Sequence, residues 1–291
     1  QAMADLEAPP SGAPTDARGR RLAGRSVRAT LAGTGSLRRI ELRSATLAAG
    51  ESRATLAGSA VRDAVTAPWR VAGEAALVDF DPAAWWPGRD DSPWRRGPHR
   101  LNAQGSFDLV LPEPAPAVSL PSRIAALRGS VALTLKDSRL AGVPLSGEVS
   151  LKGTGARAAD AALQLDLAGN RIEAEGRLVT AADGAGDRWT LSVDAPALAR
   201  LEPIYRLLPG GAALAGALSA QAQIEGRWPA IATQGRLEGQ ELVIGNIAVA
   251  QARAQWQVAG SPQAPLDVQA TLSQLVIRGQ AAPAGLAAEA S

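Results

Sequence analysis

The chain of 291 residues has no cysteine. That excludes disulfides, thiol catalysis and thiolate metal sites, and it leaves both reducing and oxidising compartments open. Aromatic residues are 3% of the chain while hydrophobic residues are 46%, so the apolar content is Ala, Leu and Val. A thick core usually draws on rings that bury a large area at once. Two Phe and one Tyr point instead to many thin, repeated apolar surfaces. Neither sign of charge dominates: 30 basic against 28 acidic residues leave a net +2, which gives no electrostatic case for nucleic acid as a partner. Long apolar runs are also missing. The strongest candidate for a membrane span, Leu207 to Ala220, is Gly/Ala-rich and too short to cross a bilayer. The chain opens at Gln1 without a basic, apolar, small-residue leader, so a piece of a longer protein is expected.

The residue types that carry catalysis are sparse. His99 is the only histidine; it lies between Pro98 and Arg100 with no acid at ligand spacing, and reads as a solvated loop residue. There is no Gly-x-Ser-x-Gly elbow, no phosphate loop with Lys and no His-Glu-x-x-His helix. Gly33-Thr-Gly35 and Gly153-Thr-Gly155 lack the rest of a nucleotide fingerprint and read as turns. Asp79 with Asp81, and Asp90 with Asp91, lack the ligand spacing of a calcium loop. A non-enzymatic protein with no metal and no cofactor is expected.

What the chain has in quantity is alternation with period two, the mark of strands with one wet and one apolar face. In Leu101 to Leu111, Leu101, Ala103, Phe107, Leu109 and Leu111 oppose Asn102, Gln104, Ser106 and Asp108. The pattern returns at Leu127 to Leu135, Val143 to Leu151, Leu163 to Leu167, and Ile172 to Leu178 with Arg171, Glu173, Glu175 and Arg177 as its wet face. It continues at Trp189 to Val193, Leu214 to Ile224, Leu242 to Ile244, Trp256 to Val258, Leu266 to Leu272 and Leu275 to Ile277. At about 5–6 residues per strand this predicts roughly fourteen to eighteen strands. Residues 1–24, with Pro9, Pro10 and Pro14, read as an irregular lead-in; 25–111 and 123–279 read as two stretches of one strand-rich region; 280–291 reads as an irregular tail. The Pro-rich link at 112–122 is either a boundary between halves or a long loop on one sheet.

Two segments break the alternation. Residues 81–98 crowd Trp85, Trp86 and Trp94 among prolines, which forbid a central strand. Capping of an apolar sheet end is the preferred reading of this cluster, and a partner or ligand surface the alternative. Residues 196–208 read as a short helix, with Asp194 as its cap, Pro196 at its first position, and Leu198, Leu201, Tyr205 and Leu208 at helical spacing. Repetition bears on the architecture. Arg-Ala-Thr-Leu-Ala-Gly occurs at Arg28 to Gly33 and unchanged at Arg53 to Gly58, which suggests a strand–turn–strand unit added end to end. An apolar face of this kind packs against a second sheet or lines an open groove suited to acyl chains, where each methylene contributes about 0.8 kcal/mol. Alternation fits both.

Several segments together resemble the translocation and assembly module subunit TamB family: Val78 to Gly88, Asp137 to Leu145, Leu167 to Leu178, Trp189 to Leu201, and Gly226-Arg-Trp-Pro229. The resemblance covers about Ser26 to Gly279. It implies an all-β, elongated, curled antiparallel sheet forming a taco-like β-groove, in the periplasm of a Gram-negative bacterium and anchored to the inner membrane through residues outside this sequence. It also implies phospholipid transport between the two membranes, a part in outer-membrane protein assembly, phospholipid acyl chains as ligands, and a TamA-like outer-membrane barrel subunit engaged by regions outside these residues. The alternative is a secreted or surface β-solenoid or adhesin-type module that binds through the Trp-rich loop. The positions that alternation assigns to the groove lining are Leu133, Leu135, Leu163, Leu165, Leu167, Ile172, Leu178, Leu191, Val193, Leu218, Ile224, Val268 and Leu272. Phe107 shares that face without being assigned to the lining.

Overall fold

A computed structural model describes residues 2–8, 27–82, 92, 94, 97–111, 128–155, 158–179, 186–208, 210–211, 213–227, 230–258 and 266–277. Trp85, Trp86, the Pro-rich link and the tail lie outside the described residues. The chain is all-β. Its strands are β1 (Ala2–Ala8), β2 (Val27–Gly35), β3 (Arg39–Ala49), β4 (Ser52–Val61), β5 (Trp69–Phe80), β6 (Leu101–Leu111), β7 (Arg128–Leu140) and β8 (Val143–Thr154). They continue with β9 (Ala158–Leu167), β10 (Asn170–Val179), β11 (Asp187–Ala195), β12 (Leu214–Arg227), β13 (Ala230–Ile244), β14 (Ile247–Val258) and β15 (Leu266–Ile277). Between β11 and β12 lie a 3-10 turn, Leu198–Leu201, and one α-helical turn, α1 (Glu202–Tyr205). Hydrogen bonding follows chain order from β1 to β15 in one antiparallel sheet that does not close on itself. Two compact units divide the chain, Gln1–Ala159 and Asp160–Ser291.

Several expectations are corrected. Ala2–Ala8 is a strand rather than part of an irregular lead-in, paired with β2 from Ala8↔Val27 to Ala2↔Gly33; its small residues alternate with Asp5 and Glu7, a pattern masked by the prolines that follow. Leu266 to Ile277 is one strand. Gln274, at φ 53°, stands at an unpaired step of the ladder between Gln251↔Ser273 and Val249↔Leu275 without changing its register. Strands run to fifteen residues in β13, longer than expected, because alternating segments join through irregularities such as the register shift opposite Ala215 and Ala217, with Glu241 at φ 49°. Gly33 to Gly35 ends β2 and Gly153-Thr154 ends β8, so neither is a turn. Asp194 does not cap the helical segment; no side chain caps either turn. Asn170 Oδ1 instead accepts the Ala197 N–H at 3.1 Å.

Among the described residues no conventional core forms. The largest side chain that is essentially fully buried is Asn170, and the buried apolar residues are dominated by alanines such as Ala49, Ala103 and Ala195. Within each unit the strands pack on their sequence neighbours, and among the described residues no second sheet covers the apolar face. The exception is one end of the second unit. There Leu198 of the 3-10 turn joins Ala195, Leu242, Val249 and Ala252 in a buried cluster, against which Val193, Leu201, Leu214 and Leu218 pack.

Candidate functional site: the apolar face of the sheet

Register converts alternation into rows. In the first unit one row runs Ala29, Leu47, Ala54, Leu77, Ala103, Leu135, Gly147, and the next runs Leu31, Ala45, Leu56, Ala75, Gly105, Leu133, Val149. A third joins Gly58, Gly73, Phe107, Val131 and Leu151. The repeated hexamer acquires a structural meaning here. Ala29 and Ala54, Leu31 and Leu56, and Gly33 and Gly58 fall in the same rows, one strand apart, so the 25-residue identity is one hairpin repeat. Thr30, Thr46 and Thr55 form the matching row on the other face.

In the second unit, Ile172, Val193, Ala220, Leu237, Ala254 and Ala270 make one apolar row, and Ala174, Leu191, Ala222, Gly235, Trp256 and Val268 make the next. Gly176, Trp189 and Ile224 lie in the row beyond, and Leu178 follows in register opposite Asp187. The ion pairs Arg177–Asp160 and Arg171–Asp166 hold the charged faces of β9 and β10 together. By the two-residue period this leaves Leu163, Leu165 and Leu167 on the opposite, apolar face. Thus, with Leu178 placed by the two-residue period from Gly176, Leu163, Leu165, Leu167, Ile172, Leu178, Leu191, Val193, Leu218, Ile224, Val268 and Leu272 share one face of the second unit, and Leu133 and Leu135 share one face of the first. Val193 and Leu218 differ from the rest, since they pack under the 3-10 turn.

The apolar face is open where it matters. Leu31 and Leu56 are 44% and 39% exposed, and with Ala29, Ala45, Leu47 and Ala54 they line a hollow of about 400 Å³ whose wall also takes in Thr30, Thr46 and Thr55. These six positions were not among the lining residues read from alternation; the hexamer repeat marks four of them, Ala29, Leu31, Ala54 and Leu56, and register adds Ala45 and Leu47 from β3. Hollows also occur on the wet face. One of about 700 Å³ in the second unit is lined largely by Gln221, Gln223, Gln234, Gln255, Gln257 and Gln269 with Arg236, and one of about 510 Å³ in the first unit by Ser, Thr, Gln and Glu74 among others. A twisted sheet is concave on both faces along different diagonals. Of these three hollows, the one at Leu31 and Leu56 has the aliphatic lining.

His99 is buried, 8% exposed, which corrects its reading as a solvated loop residue. Its Nδ1 accepts the Ala141 N–H at 3.0 Å, its Nε2 lies 2.5 Å from the Trp94 carbonyl oxygen, and its ring lies 6.5 Å from that of Trp94. Gly142 N–H donates to the Pro98 oxygen beside it. The ring therefore fastens the end of the 81–98 segment to the β7–β8 turn. Proline and arginine neighbours suggest solvent in the sequence, whereas burial follows from a contact 42 residues away.

Comparisons with protein-family models, with curated proteins and with solved structures return no match.

Proposed function

We propose that the chain acts by binding rather than catalysis, and that its apolar sheet face holds phospholipid acyl chains. The observation that carries this reading is the aliphatic hollow at Leu31 and Leu56, on a face that no second sheet covers. Hydrocarbon needs no polar partner, and each methylene moved from water to such a lining is favoured by about 0.8 kcal/mol. A single open antiparallel sheet with one hairpin per repeat also fits a TamB-type groove. On that reading the chain serves in the periplasm of a Gram-negative cell, as part of an inner-membrane-anchored protein. It supports phospholipid transport and outer-membrane protein assembly, with a TamA-like barrel subunit engaged elsewhere. Trp94, half-buried beside His99, lends less to the adhesin-type alternative. In native mass spectrometry, the chain purified from a Gram-negative host is expected to carry phospholipid, and Leu31→Glu with Leu56→Glu is expected to lose most of it. Equal loss from Gln104→Glu with Ser106→Glu, on the opposite face and outside that hollow, would contradict the reading.

A further inference from the structure

Two neighbouring turns of the first unit carry the two most exposed large apolar side chains recorded among the described residues, Leu37 at 75% and Val65 at 58%. Turns favour Gly, Pro, Asn, Asp and Ser, so aliphatics at both apices are unexpected on local grounds. The first turn is stiff. Ser36 N–H donates to the Arg39 oxygen at 2.6 Å, and Ser36 Oγ accepts the Arg39 N–H at 3.1 Å.

One residue ties the two turns together. Arg62 N–H donates to the Arg38 oxygen at 2.9 Å. Its guanidinium donates through Nε to the Leu37 oxygen at 2.7 Å and through Nη1 to the Val65 oxygen. The same guanidinium sits 4.5 Å from the centre of the Trp69 ring. The residues bearing the exposed aliphatics are thus held side by side, on an Arg–Trp base.

The surrounding charge is basic. Arg38, Arg39 and Arg70 are exposed, against Glu41 and Asp63. Glu41 is engaged by Arg39, and Arg38 has no ion-pair partner among the described residues. Single exposed aliphatics need no explanation. Two of them fixed together, ringed by arginine and backed by tryptophan, have the make-up of a lipid-surface contact: apolar tips reach the acyl boundary, guanidinium groups meet phosphates, and the indole sits at the interface.

We propose that this end of the first unit docks on an anionic lipid bilayer surface, with Leu37 and Val65 entering the interface and Arg38, Arg39 and Arg70 facing the phosphates. Ile40, 45% exposed and three residues from Leu37, continues the apolar track along β3. The inference stands on the turns alone and does not require the hollow to hold lipid.

Co-sedimentation of the full chain with vesicles tests it. Binding is expected to vesicles of phosphatidylglycerol mixed with phosphatidylcholine, to weaken with salt, and to be absent with phosphatidylcholine alone. Arg38→Ala is expected to weaken binding about fivefold. Leu37→Asp with Val65→Asp is expected to abolish it, with circular dichroism and melting unchanged because both side chains are exposed. Failure of the unaltered chain to bind anionic vesicles, equal binding to neutral ones, or retention by the double variant would each overturn the proposal. Loss of copurified phospholipid in Leu31→Glu with Leu56→Glu bears on the hollow and leaves vesicle docking unaffected.

Discussion

At Gly73, Gly176 and Gly235 the place of a side chain is taken by a ring from the paired strand. Phe107, Trp189 and Trp256 are their register partners, and each ring lies over its glycine: a Cβ on Gly73 would stand 2.9 Å from Phe107 Cζ, and those on Gly176 and Gly235 would fall inside the indoles. Glycine in a strand interior weakens it for lack of packing; the ring restores that packing and covers the apolar face. Gly235→Ala is therefore expected to cost about 1–3 kcal/mol in urea unfolding, the usual range for overpacking. Gly50→Asn, at φ 63° in a turn with nothing within 4 Å, is expected to change little, because Asn tolerates that conformation. His99→Phe is expected to cost about 1–3 kcal/mol by leaving the buried Ala141 N–H without its acceptor, and faster exchange of that amide checks the cause.

The elements owe their shape to bulges that alternation does not reveal. On β5 and β7 one extra residue enters between Leu77 and Phe80 and between Leu135 and Ser138, with Asp79 at φ 47° and Asp137 at φ 49°. Asn102 on the strand between them fastens both. Its Oδ1 accepts the Asp79 N–H at 2.8 Å, and its Nδ2 donates to the Asp137 oxygen at 3.0 Å. Ser138 Oγ closes the set, accepting the Asn102 N–H at 2.8 Å. Asn102→Leu is expected to destabilise the first unit by about 1–3 kcal/mol, and Asn102→Asp to recover only the Asp79 half, read as protection of the Asp79 amide in hydrogen exchange. In the second unit Asn170→Ala is expected to release the 196–208 segment, raising exchange at Leu198 to Tyr205 while β13 and β14 stay protected. Class, strand number and apolar positions were legible because period two is a local property of the chain. Bulges, the burial of His99 and the role of Asn170 depend on residues 23 to 42 positions apart and leave no periodic trace. The helical segment was legible by its leucine spacing, yet its anchor was not, since Asp194 precedes it in sequence while Asn170 reaches it only through the fold.

At the scale of the whole molecule, a chain with few rings and many small aliphatics places all its described strands in one antiparallel sheet. Ala, Gly, Val and Leu pack a strand against its neighbours without filling a second layer, so the apolar rows remain partly open, as at Leu31 and Leu56. The hexamer repeat shows how such a face is extended, since each hairpin returns the same residue to the same row. The sheet order shows one antiparallel sheet that is not closed, and Leu31 and Leu56 in the first unit are exposed on its apolar face. The most direct test of the open face as a hydrocarbon surface is site-specific photo-crosslinking in cells, followed by detection of attached phospholipid. Crosslinkers at Leu31, Leu56 and Leu191 are predicted to capture phospholipid, while those at Gln104, Ser106 and Thr190, on the opposite face, are predicted to capture little. Equal labelling of both sets would contradict the account.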